Sequence, residues 1–220
     1  MEGEFGIVNR FCAFRFLVKR IGTRSRTHAR ATIIESYQHS QTMAIKDTVR
    51  MVADLMEVAA RTAPKGLGKD YIEIKVLSDE ERNAVGNEMM RMSKEARHPN
   101  FDRDGQNILD ADVLVLIGLL PHQGAGLNCG ACGFPTCVEM ERHTCVADFD
   151  GGNCAIRLLD LGIAMGSAVK IASELNVDNR IMYRVGVAAK RLGLVRAQII
   201  HGIPLSATSK NIFFDRQARK

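Results

Sequence analysis

Between positions 44 and 63 the apolar residues Ile45, Val49, Val52, Leu55, Met56, Val58 and Ala59 recur mostly at intervals of three and four. That is the period of an amphipathic helix, and Pro64 ends it. The pattern then switches to alternation. Ile72, Ile74 and Val76 interleave with Glu73 and Lys75, so Tyr71 to Leu77 is predicted as a strand buried on one side. Ser78 offers a cap, and Asp79, Glu80 and Glu81 an acidic first turn, for a helix running to about Arg97, where His98-Pro99-Asn100 breaks it. Asp112 to Leu120 is almost wholly apolar and too short for a core helix, so it reads as a central strand.

The second half continues the alternation of types. Cys154 to Leu175 predicts a long helix whose Gly162, Ala164, Gly166 and Ala168 would permit close approach to a neighbouring helix or to the sheet. Asp178 is placed to cap another helix, Asn179 to Leu192, ended by Gly193, and Ala197 to Ile203 reads as a third strand closed by Pro204. Met89, Met90, Met92, Met165 and Met182 fall at helical positions and are expected to fill core gaps. The predicted class is α+β, a small mixed sheet of about three or more strands packed with helices, with one irregular segment inserted after the central strand.

That segment, residues 121–154, carries the chemistry. Cys129, Cys132 and Cys137 have the spacing C-x2-C-x4-C, and Cys154 follows after sixteen residues at the start of the long helix. Four thiolates are what a [4Fe-4S] cube requires, and Gly130 and Gly133 free the backbone to curl around it and to aim N–H groups at its sulfurs. Structural zinc sites more often join two short-spaced pairs, so zinc is the competing reading. Cys145 is the alternative fourth ligand; Cys154 is preferred because a helix start would hold it in place. His122 and His143 bracket the cysteines and are candidates to donate to a sulfide or relay protons, although such a histidine is more often a surface one.

Composition narrows the class. The chain has 220 residues, 46% of them hydrophobic, enough for a well-packed core. No run of eighteen apolar residues predicts a membrane span. Five of six cysteines crowd into positions 129 to 154, unlike a secreted disulfide framework, and with ten methionines they suit a reducing cytoplasm. Residues 1–42 hold seven Lys or Arg against three Asp or Glu, +4 of the net +5, so the remainder is nearly neutral and a nucleic-acid-binding face is not expected. Those residues read as a variable basic extension, and 43–220 as a single α+β domain.

Several segments carry a resemblance: Ala59-Ala-Arg-Thr-Ala-Pro-Lys-Gly66, Val115-Leu-Ile-Gly118, Gly126-Leu-Asn-Cys-Gly-Ala-Cys-Gly-Phe134, Asp160 to Ala168, Asn176 to Tyr183, Gly202 to Ala207 and Lys210 to Arg216. Together they resemble a prokaryotic family of uncharacterised proteins known for containing a ferredoxin domain. The cysteine pattern is also similar to the four-cysteine domain of corrinoid iron-sulfur proteins and of Rnf-type electron-transport subunits, which implies a [4Fe-4S] cluster on Cys129, Cys132, Cys137 and Cys154. The family resemblance implies a cytoplasmic redox protein with a redox partner protein. A more remote likeness, to flavin-dependent nitroreductases, rests on Ala63-Pro64, Asp160-Leu-Gly-Ile-Ala164 and Gly202-Ile-Pro204, and it implies FMN and a homodimer. This chain departs from it in having Lys65 where those enzymes carry Ser, with Arg24-Ser25-Arg26 as its nearest arginine-rich phosphate motif.

Two polar loops are candidates for such a cofactor: Arg61, Lys65 and Lys69 around Gly66 and Gly68, and Ser206, Thr208, Ser209, Lys210 and Asn211 after the last strand. Solvated lysines and an ordinary turn explain them as well. Asp178, Asn179 and Arg180 would form a helix-start site, although capping accounts for them. The expected function is electron carriage through one [4Fe-4S] cluster, with a flavin-linked oxidoreductase left open. The alternative is a non-catalytic module, clipped by zinc or a cluster, that docks a partner or senses oxygen.

Overall fold

A computed structural model describes residues 45–214. The expected basic extension, with Cys12 and Arg24-Ser25-Arg26, lies outside the described residues. Helix α1 covers residues 45–62, and its buried positions Val49, Val52, Ala53, Met56 and Ala60 advance by one, three and four, whereas Ile45, Leu55 and Val58 of the expected pattern are exposed. A 3-10 turn over Gly66–Gly68 leads into β1 (Ile72–Val76). Helix α2 (Asp79–Met92) opens on a reciprocal capping box: the Glu81 N–H donates to Ser78 Oγ at 3.2 Å, and the Glu81 carboxylate accepts from the Ser78 N–H at 3.1 Å.

The helix ends at Met92, short of the expected Arg97. Successive turns follow instead, with the Glu95 N–H on Met92 O and the His98 N–H on Glu95 O. They carry His98 inward, where its ring bonds Glu95 and Asp148. A helix the pattern did not announce comes next, α3 (Phe101–Asp110). Its buried stripe is narrow, with Phe101 and Ile108 one heptad apart, and Asp104 and Gly105 between them.

Strand β2 (Val113–Leu119) precedes the irregular segment, which holds a short helix, α4 (Cys137–Arg142), and a hairpin, β3 (Cys145–Val146) and β4 (Asp150–Gly151). The chain closes with α5 (Ala155–Glu174), β5 (Asp178–Asn179), α6 (Tyr183–Arg191) and β6 (Ile199–Ser206). The class is α+β, as expected. Its main sheet has four strands in the order β1-β2-β6-β5, and every pairing is antiparallel.

Two layers of helices cover the sheet. Val113, Val115, Ile117 and Leu119 of β2 join a core with α1 and α5, while Leu114 and Leu116 join a second core with α2, α3 and α6. All seven residues of β2 are buried, which is why its sequence is continuously apolar rather than alternating. The stretch from Asn179 to Leu192 is not one helix. Asp178 and Asn179 pair with Ser206 and Leu205, Asp178 accepts from Asn211 Nδ2 at 2.9 Å instead of capping, and α6 begins only at Tyr183.

Pro204 does not close β6 but sits within it. Met182 and Gly202 exchange both backbone hydrogen bonds, at 2.8 and 3.0 Å, and such pairs recur every second residue. The next pair would join Arg180 to Pro204, which has no N–H, so the ladder lapses there and resumes at Asn179 and Leu205. Of the methionines, Met89, Met92 and Met182 are buried and Met165 packs against the core, whereas Met90 is exposed. Among the described residues no helix is long and apolar enough to cross a membrane.

On α5 the close approach is made by Ala164, Ala168 and Ala172, each fully buried, and not by Gly162 and Gly166, beside which a Cβ would meet nothing within 4 Å. Substitution therefore separates the two faces. Ala168→Leu is expected to destabilise by about 1–3 kcal/mol through overpacking, whereas Gly166→Ala stabilises by about 0.5–1 kcal/mol through reduced backbone entropy. Urea unfolding of both variants checks this; equal effects would contradict the packing described.

Candidate metal centre

At one end of the sheet Ile72, Leu119 and Ile199 lie side by side. The segment of residues 121–153 leaves β2 here, and α5 brings the chain back with Cys154 as its N-cap. Both limbs are tied together by His122. A carbonyl can only accept and an amide N–H can only donate, so His122 Nδ1–H donates to Leu120 O at 3.0 Å while Nε2 accepts from the Cys154 N–H at 3.1 Å. The imidazole is thus held neutral in one tautomer. Burial pushes its pKa down, and the nearby Arg157 charge adds to the effect.

Four of the five described cysteines occupy this segment and the fifth begins α5, and none is in a disulfide. Gly130 and Gly133 have φ of +71° and +87°, the left-handed region, and their hydrogen bond (Gly133 N–H to Gly130 O, 2.9 Å) closes the turn that presents Cys132. Asn128 Oδ1 accepts from the Cys137 N–H at 2.9 Å, which ties the residue before Cys129 to the start of α4. Thr136 caps that helix through the Glu139 N–H. At Gly124 a Cβ would stand 3.2 Å from Cys137 Sγ, so the incoming chain lies directly against that thiol.

Cys129 and Cys145 are exposed, Cys132 and Cys137 half-buried, and Cys154 only 4% exposed. The thiols are brought to one end of the sheet without being gathered into a chelate: among the described residues no three His, Cys, Asp or Glu side chains form a group that could hold a metal ion. The donor chemistry fits an iron-sulfur cluster, being three free thiols on a glycine-rich loop with left-handed turns and a fourth at the start of α5. Closing the loop is what the metal would have to add.

Behind Cys154 stands a charged network that the sequence did not suggest. Arg157 is buried and donates from Nη1 to Gly66 O at 2.7 Å and to Asp160 Oδ2 at 3.1 Å, while Asp160 Oδ1 accepts from the Gly66 N–H at 2.7 Å. Its guanidinium lies over the Tyr71 ring, 5.0 Å from the centroid, and Tyr71 meets His122 edge-on at 6.0 Å. The only sequence trace of this pair is the i, i+3 spacing of an arginine and an aspartate on one helix face. Removing one partner of such a buried pair costs on the order of 3–5 kcal/mol.

The far side of the segment is anchored by the β3–β4 hairpin. Asp148 at its tip accepts from Tyr183 Oη at 2.5 Å, bonds His98 Nε2 at 3.3 Å and pairs with Arg97 at 3.2 Å. Phe149 packs edge-on against Tyr183 at 5.3 Å, and Asp150 pairs with Lys190 at 2.8 Å. Cys145 belongs to this hairpin, opposite Gly151. His143 lies against Phe134, at 5.0 Å between ring centroids.

The four residues expected to hold an organic cofactor are not brought together. Arg61 Nη1 bonds Asp70 and Ile72 O, and Lys65 Nζ donates to Ala60 O and Arg61 O at the end of α1, where burial pushes its pKa down. These lie at the cysteine end of the sheet. Ser206, fully buried, follows Leu205 at the opposite end, and Lys210 lies four residues beyond it. The seven residues of β2 set the ends about 20 Å apart.

Asp148 makes the hairpin anchor pH-dependent. The Tyr183 hydroxyl above all, with His98 and Arg97, holds its carboxyl below the usual range. A depressed carboxyl contributes stability above its ordinary pKa of about 4, and that contribution is lost as pH falls through the lower folded value. Burial, then the bond to Asp148, pushes Tyr183 up to about 12, so its contribution is complete below about pH 10 and is lost on rising toward the folded value. Asp148→Asn is expected to flatten the acid limb of the stability curve and to lower the Tyr183 midpoint in an absorbance titration. An unchanged acid limb would remove Asp148 from this role.

An uncharacterized protein of Archaeoglobus fulgidus is 43% identical over 173 residues, 78% of this chain and 94% of that protein. Among solved structures, a nitroreductase with bound FMN from Desulfitobacterium hafniense DCB-2 aligns over 73% of this chain and 78% of its own, with TM-score 0.48 and 13% identity. A nitroreductase-like family protein from Bacillus cereus aligns over 77% and 79%, with TM-score 0.49 and 12% identity. Residues 150–216, which include Cys154, Arg157 and Asp160, match the family described as uncharacterized protein containing a ferredoxin domain (DUF2148). The chain belongs to this family of uncharacterized ferredoxin-domain proteins.

Proposed function

We propose that this protein holds one [4Fe-4S] cluster on Cys129, Cys132, Cys137 and Cys154 and passes single electrons between redox partners. The observation that carries the reading is the delivery of four free thiols to one end of the sheet by a loop pinned at both limbs. Membership of a ferredoxin-domain family supports it. When bound, such a cluster accepts and releases one electron with no bond made or broken.

The chain's own residues have separable tasks. His122 fixes the start of α5 and so the position of Cys154, and Asn128 couples the Cys129 turn to Cys137. The left-handed turns at Gly130 and Gly133 let the backbone curl around a cluster, whose potential a protein sets through hydrogen bonds to its sulfurs. Cys154 is preferred to Cys145 as the fourth ligand because it is buried and bonded at a helix start, whereas Cys145 is exposed on the hairpin. Arg61 and Lys65 commit donors to backbone and carboxylate partners, so the proposal is confined to the cluster.

Anaerobic reconstitution with ferrous iron and sulfide tests the assignment. The wild-type chain is expected to take up about four irons and to give an EPR signal on reduction with dithionite. Cys154→Ala should lose most of that iron and Cys145→Ala should retain it. The reading would be falsified if folded wild-type protein bound no iron, and retention of zinc alone would favour the structural clip.

A further inference from the structure

Arg157 is 1% exposed, yet among the described residues its Nε and Nη2 have no acceptor. Its bonds to Gly66 and Asp160 come from Nη1 alone, so the guanidinium braces the Gly66 turn and lies over the Tyr71 ring while two of its three nitrogens go without an acceptor. Buried donors are rarely left so, and a buried charge still less. Arg157 lies three residues after Cys154, on the same side of the first turn of α5. Its charge reaches His122, whose Nε2 holds the Cys154 N–H, and Asp160 lies a further turn along the helix, away from Cys154. Along the helix Arg157 thus lies nearer than Asp160 to the start of α5, the end at which the helix dipole is also positive.

We propose that Arg157 is a positioning residue for electron transfer: its buried guanidinium raises the midpoint potential of the cluster held by Cys154 and its partners. The inference rests on the cluster reading above. Reduction by dithionite adds one electron, and hence one unit of negative charge, without making or breaking a bond. A fixed positive charge in a poorly screened site favours the more negative state.

Potentiometric titration of anaerobically reconstituted protein, followed by EPR, tests this. Arg157→Gln is expected to lower the midpoint by about 59 mV, a tenfold change in a one-electron equilibrium. Asp160→Asn, which leaves the guanidinium uncompensated, should move it in the opposite direction. Arg157→Lys, which keeps the charge, should stay within threefold of wild type in the same equilibrium. Mere loosening of the site would not produce shifts of opposite sign. Potentials unchanged in all three variants, or moved the same way in the first two, would overturn the inference while leaving the cluster intact. Should Arg157→Gln fail to fold, Asp160→Asn decides alone, a positive shift supporting the role and an unmoved potential removing it. Wild-type protein without iron would instead defeat the cluster assignment, a result distinguishable by metal analysis.

Discussion

Burial of β2 on both faces is the constraint from which the rest of the arrangement follows. Val113, Val115, Ile117 and Leu119 face α1 and α5, and Leu114 and Leu116 face the other helices, so neither side can be surrendered to water. Each such side chain is worth about 1.5–3 kcal/mol when fully buried. A shift of register by one residue would exchange the two sets and misfit both cores. The pairing of β2 with β1 and β6 is thereby determined, and with it the point at which residues 121–153 leave the sheet.

That segment has little apolar material of its own. Leu127, Val138 and Val146 are all exposed, and Met140 is its one fully buried side chain. A glycine-rich loop loses much conformational entropy when ordered, and polar anchors must offset the loss. They do so at three places: His122 between Leu120 and Cys154, Asn128 to Cys137, and Asp148 among Tyr183, His98 and Arg97. The anchors restrain the loop's limbs and leave its cysteine turns open. This is a suitable condition for a site completed by binding.

The legible parts of the fold are those dominated by local periodicity and by caps. Helix α1, the capping box at Ser78, β1, β2 and the long α5 all follow from spacing. The misjudged parts have tertiary causes. Burial of His98 ends α2 early, a missing N–H rather than a chain reversal explains Pro204, and pairing with β6 turns Asp178 from a cap into a strand residue. On α5 the alanines and not the glycines face the core, a distinction that small-residue spacing does not contain.

The sequence by itself determined the class, the central strand and the identity of the thiols, because hydrophobic period and cysteine spacing are local properties of the chain. It also offered Arg61, Lys65, Ser206 and Lys210 as candidates for an organic cofactor, but not the fact that the first two lie at one end of the sheet and the last two at the other. Only the tertiary structure showed His122 bridging two limbs 32 positions apart and Arg157 bonding a turn 91 positions away. A buried charge acquires its meaning from what surrounds it in space. Its neighbours here come from α5, the Gly66 turn and Tyr71 just before β1, and no window along the chain contains them together.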